Sequence, residues 1–174
     1  VISASDRRDD AGIVAAQLGR APREPWRTAS VCPHGYPSAI VSPSRLADGT
    51  PFPTFAWLTC PWLAERASAE ESEGASARWV AEIARDSELA ERLRITDAAM
   101  RMARAAEGLG VDACETVGVA GQRDPLAVKC LHARVALALT GIDDPVGVDL
   151  IGRYGVRCPD RRCEEPGIPC EMEE

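Results

Sequence analysis

The sequence predicts an α+β fold: a small β-sheet or hairpin near the N-terminus packed against a predominantly helical layer, followed by an irregular, cysteine-rich C-terminal tail. Three observations carry this prediction. Residues 27–58 contain three short runs of strand-favouring residues separated by turn signals. Residues 61–141 are rich in Ala, Glu and Arg, with apolar positions at helical spacing. The last stretch has too few apolar residues to fold unaided. A length of 174 residues suits one domain large enough to bury its own core. We read residues 1–150 as that domain and residues 151–174 as the Cys/Glu/Pro-rich tail.

Taken in order, residues 9–18 read as a short helix, with Ile13, Val14 and Leu18 on one side, acidic residues in the first turn and Gly19 at its end. Prolines between Arg20 and Trp26 make an extended connector. Residues 27–31 and 38–41 then read as two strands joined through Pro33-His-Gly-Tyr-Pro37, and residues 54–58 as a third, entered from the Asp48-Gly49 turn. Helices are expected over 61–72, 75–84 and 87–109, the last capped by Ser87 and closed by Gly108 and Gly110. Asp124-Pro125 supplies an N-cap and a proline at the first helical position for an apolar helix ending at Gly141, central to the core.

The bulk charge narrows the functional classes. A net charge of −7 disfavours broad electrostatic binding to nucleic acid or to anionic membranes. No apolar run approaches a membrane-spanning length, and residues 1–10 are too charged for a secretory signal, so the expected location is cytoplasmic. Seven cysteines in such a setting point to metal binding or redox chemistry rather than to a disulfide framework. A protein partner stays open.

The most informative segment is Asp48-Gly-Thr-Pro-Phe-Pro-Thr-Phe-Ala-Trp-Leu-Thr-Cys-Pro61. Pro61 suits the first helical turn, which places Cys60 at the N-cap, where free amides and the helix dipole favour a thiolate. Cys32, before Pro33, opens a tight turn, and Cys130 lies in Val128-Lys-Cys-Leu-His132. On a regular helix Cys130 and His132 differ by about 200° in direction, so one of them faces a shared site; we choose Cys130, with Lys129 beside it. Cys32, Cys60 and Cys130 are thus the candidate ligands of an iron–sulfur cluster or of zinc, with the fourth ligand open. Their spacing matches neither paired zinc knuckles nor a ferredoxin run. His34 is more simply a turn residue than a ligand, and Cys114 a free thiol. The tail thiols Cys158, Cys163 and Cys170 either supply ligands, form their own site or pair as disulfides. Glu70-Glu71-Ser-Glu73 reads as a solvated helix face. Two competing classes are a metal-free interaction domain with buried cysteines and a thiol enzyme using Cys60 as nucleophile; no dinucleotide, phosphate-loop or hydrolase motif names a reaction.

Ile13-Val-Ala-Ala-Gln-Leu-Gly-Arg20, Cys32-Pro-His-Gly-Tyr-Pro37, Asp48 to Thr54, Trp57-Leu-Thr-Cys-Pro61 and Val128-Lys-Cys-Leu-His-Ala133 together resemble the bacterial domain of unknown function 501 family, over residues 9–147. The resemblance implies a small soluble protein without an established activity, with recurrent cysteines at Cys32, Cys60 and Cys130 and a recurrent histidine at His132. It also implies that the common core does without the tail thiols. Val31 stands where such proteins tend to carry arginine.

Overall fold

The structure is a computed structural model and describes residues 10–164. Cys170 lies outside them. In chain order the elements are α1 (Asp10–Leu18), β1 (Arg27–Val31), β2 (Pro37–Val41), β3 (Ala56–Leu58), α2 (Pro61–Ser72), α3 (Ala75–Ile83), α4 (Ser87–Glu107), a single 3-10 turn (Val119–Gly121), α5 (Leu131–Leu139) and α6 (Pro145–Tyr154). The α+β class predicted above is the one found.

The sheet is antiparallel with order β1-β2-β3. Every residue of β2 is buried, as a central strand covered on both faces requires. β1, the edge strand, pairs with β2 through an irregular register between Thr28 and Val31. The β1–β2 turn closes through Gly35, whose amide donates to Cys32 O at 2.8 Å and whose φ of +81° needs a glycine. On the other side Ile40 faces Trp57 and Ala39 faces Leu58. Directly beyond β3 the amides of Thr59 and Cys60 both donate to Ser38 O, at 3.1 and 3.2 Å. This pair of bonds turns the chain into α2, with Pro61 as its first residue.

α5 is the centre of the core. Leu131, Val135, Ala136 and Leu137 are buried in one apolar cluster that includes Val41, Leu58, Leu63, Ala67, Val146 and Leu150, so α5 meets the sheet, α2 and α6 at once. Two buried arginines add polar struts. Arg104 of α4 is fully enclosed, pairs with both oxygens of Asp112 at 2.8–3.0 Å, and donates to the carbonyls of Pro53, Cys114 and Val117. Arg134 of α5 pairs with buried Asp144 at 3.1 Å and reaches the carbonyls of Pro125 and Ala127.

Three local expectations are corrected. The helix expected from Asp124 begins only at Leu131. Asp124 caps a turn instead, accepting from the Leu126 amide at 2.9 Å. A helix from Pro125 would need Ala127 O to accept from the Leu131 amide, but Arg134 takes that carbonyl and Glu71 takes that amide. The second correction is α6, a helix beyond the helices expected up to Gly141. Asp144 caps it by accepting from the Val146 and Gly147 amides at 3.0 and 2.9 Å, and Pro145 opens it. It runs to Tyr154, across the 150/151 boundary drawn above. The third is small: Asp86, not Ser87, caps α4, through the amides of Glu88 and Leu89.

Candidate metal centre

Cys130 is the N-cap of α5, with extended backbone angles (φ −140°, ψ 113°). This decides its relation to His132. An N-cap side chain bends over the first helical turn, so the helical wheel that separates positions two apart does not apply across it. The geometry used to set His132 aside is therefore overturned, and both side chains reach one place. The third member comes from α2. Glu71 Oε1 accepts from the Leu131 amide and lies 3.4 Å from His132 Nδ1, tying the end of one helix to the start of another. Donor atoms of Glu71, Cys130 and His132 all lie within 4.8 Å of one another. The other ring nitrogen, Nε2, meets Ser68 Oγ at 3.2 Å.

Electrostatics couples these groups. Burial pushes the Cys130 thiol up, but the neighbouring His132 imidazole and Ala133 amide outweigh it and leave the pKa below the ordinary cysteine value. Cys130 is in turn the largest influence on His132, raising its pKa, with Glu71 adding to the rise. Charge at this site thus comes from an imidazole and a helix N-terminus; Lys129 is exposed.

Cys32 and Cys60 lie elsewhere. They line a single pocket together with His34, Pro37, Trp62, Cys158 and Cys163. Cys60 begins α2 and Glu71 lies near its end, eleven residues on, which at the helical rise is about 16 Å. The structure brings Cys32 and Cys60 together and places Cys130 at the far end of α2. The thiolate expected at Cys60 also meets an opposing force. Desolvation pushes its pKa up to about 11, and Cys163 and Cys32 add to that rise, against lowering by the Leu63 and Trp62 amides. Cys163 is raised first by burial and then by Cys32 and Cys158, although Gln17 Nε2 donates to its sulfur at 3.3 Å. Cys114 is buried apart from both groups, against Ser44 O.

A family model described as a protein of unknown function, DUF501, matches residues 28–151. The chain belongs to the DUF501 family. No curated protein and no solved structure matches it. The matched DUF501 region contains the sheet from its second residue on, Cys32, Cys60 and the whole Glu71, Cys130 and His132 group, and ends before Cys158 and Cys163. What the sequence reading missed was Glu71, hidden in an acidic run that looked like solvated surface, and the convergence of Cys158 and Cys163 on Cys32 and Cys60. No local signal marks Glu71; only the packing of α2 on α5 selects it from its acidic neighbours. Glu70, next to it, is spent on Arg78, Arg153 and Tyr154.

Proposed function

We propose that this DUF501 protein is a thiolate-metal-binding protein and that Glu71, Cys130 and His132 hold one zinc-class divalent ion. The observation that carries the reading is the mutual approach of three different donor atoms, carboxylate, thiol and imidazole, to within 4.8 Å. One sulfur, one nitrogen and one oxygen ligand suit zinc, and a set of three leaves a position open for water or a partner group. An iron–sulfur cluster, held chiefly by cysteines, fits these three side chains less well. The contact between Ser68 Oγ and His132 Nε2 supports the reading further, because a ligating imidazole is commonly oriented by a hydrogen bond at its second nitrogen. Zinc is redox-silent, so the roles that suit this site are structural, sensing or Lewis-acid ones.

A second reading rests on the approach of Cys130 to His132 at the start of α5: a thiolate paired with imidazole at a helix N-terminus is a nucleophile. If the chain is a thiol enzyme, its nucleophile is Cys130 rather than Cys60.

The test is cobalt and zinc titration of the metal-free full chain carrying Cys158→Ala and Cys163→Ala, so that the other thiol pocket does not contribute. One ion per chain is expected, with a thiolate-to-cobalt charge-transfer band that disappears in Cys130→Ala and in His132→Ala. Absence of stoichiometric binding, or binding that survives both substitutions, overturns the metal reading. Rapid single-site alkylation at Cys130 without any metal uptake would favour the nucleophile.

A further inference from the structure

The pocket at the other end of α2 gathers four thiols from three separate parts of the chain. Cys32 comes from the β1–β2 turn, Cys60 from the N-cap of α2, and Cys158 and Cys163 from the segment that follows α6. That segment is short of apolar residues, yet it folds back onto the domain. His34 Nε2 lies 3.1 Å from Cys158 O, and Arg162 reaches Glu65 of α2 at 2.6 Å. Gln17 of α1 donates both to Pro37 O at 2.8 Å and to Cys163 Sγ at 3.3 Å. Pro37, Pro61, Trp62 and Val156 give the pocket an apolar lining, and Arg161 and Arg162 stand on it.

We propose that Cys32, Cys60, Cys158 and Cys163 are the four ligands of an iron–sulfur cluster, a site separate from the Glu71, Cys130 and His132 group. Four cysteines match the ligand set of such clusters. Four cysteines also suit zinc, but the spacing of these thiols departs from that of a single zinc ion. Zinc–sulfur bonds of about 2.3 Å put tetrahedral ligand sulfurs about 3.8 Å apart. Among the described residues no three of these sulfurs lie mutually within 4.8 Å, whereas Glu71, Cys130 and His132 do. A core of iron and sulfide holds its ligand sulfurs farther apart than a single zinc ion does. Four thiolates facing one another repel, and a cationic centre of either kind, with Arg161 and Arg162 beside it, relieves that repulsion. The Gln17 amide on Cys163 sulfur is the kind of donor that stabilises thiolate ligands of a cluster. Because two ligands lie beyond residue 151, the site is a feature of this chain's C-terminal segment together with the family region.

The test is anaerobic transfer from a synthetic 4Fe–4S cluster carrying four simple thiolates. This is ligand exchange without electron transfer: the four protein thiols bind iron as thiolates, and the four displaced thiolates leave with the protons. The chain used carries Cys130→Ala and His132→Ala, so failure of the zinc reading does not affect the outcome. Gel-filtered protein is expected to keep iron and sulfide, to show broad visible absorption, and to protect Cys32, Cys60, Cys158 and Cys163 from alkylation under denaturing quench. Adding Cys158→Ala and Cys163→Ala should abolish retention while the far-ultraviolet circular dichroism stays that of a folded chain. The proposal is overturned if no iron and sulfide are retained, if retention survives loss of both tail thiols, or if zinc binds these four thiols in preference. Should the tail variant fail to fold, the alkylation pattern of the otherwise intact chain decides alone.

Discussion

Cys60 and Cys130 occupy the same backbone position, the N-cap of a helix, and differ in what surrounds the sulfur. Cys60 is buried beside other thiols, and desolvation carries its pKa to about 11. Cys130 is half-buried and lies beside the His132 imidazole, which brings its pKa down. Only the thiolate reacts with an alkylating agent, and at pH 7 a thiol of pKa about 11 is ionised to roughly one part in ten thousand. In the metal-free chain at neutral pH, iodoacetamide should therefore modify Cys130 well before Cys60, with Cys60 joining only as the pH rises toward 11. Peptide mapping of a time course checks this; faster labelling of Cys60 would show that its helix dipole outweighs its burial. That Pro61 makes Cys60 an N-cap was legible in the sequence. The balance between dipole and desolvation was not, because the surroundings of Cys60 include residues as distant in sequence as Cys163.

At the scale of elements, the packing of α6 on α5 turns on one glycine. A Cβ at Gly147 would lie 2.2 Å from Arg134 O and 2.8 Å from the Ala138 side chain, so the two helices are in backbone contact there. Gly152 sits on the same helix with nothing within 4 Å of its added Cβ. Gly147→Ala should cost about 1–3 kcal/mol through overpacking. Gly152→Ala should stabilise by about 0.4–1 kcal/mol through lost unfolded-state freedom and better helix propensity. Urea midpoints of the two variants test the contrast; equal midpoints would mean that α6 does not pack as described. The same elements show where local reading fails. Asp124-Pro125 and Asp144-Pro145 are identical signals, yet only the second opens a helix. The difference lies in Arg134, which pairs with Asp144 but takes the carbonyls of Pro125 and Ala127 away from any helical ladder.

Across the whole molecule, Arg104 joins α4 to residues 112–117 and to the segment leading into β3. From α4 it holds Asp112 and three carbonyls, one of them in the segment leading into β3. Its side chain is fully buried and that of Asp112 is 9% exposed. Replacing Arg104 with Met keeps much of the volume and leaves a buried carboxylate and three carbonyls without their partner, for an expected loss of about 3–5 kcal/mol. Chemical denaturation measures it, and a loss below about 1 kcal/mol would mean that water or rearrangement replaces the guanidinium. No helix among the described residues is long and apolar enough to cross a membrane.

The sequence by itself determined the class of fold, the three strands and most helices along the chain, and the placing of Cys60 and Cys32 at a helix start and a tight turn. These depend on neighbours within a few residues: proline at a first helical position, glycine where φ is positive, alternation or helical spacing of apolar side chains. Tertiary structure alone decided which thiols meet. Cys130 was separated from Cys60 by the length of α2 and joined to Glu71 by the packing of α2 on α5. Cys158 and Cys163 were brought to Cys32 and Cys60 by the turn of the chain after α6. Ligand sets are made of residues far apart in sequence, and their meeting is fixed by helix lengths and packing, which no local pattern encodes.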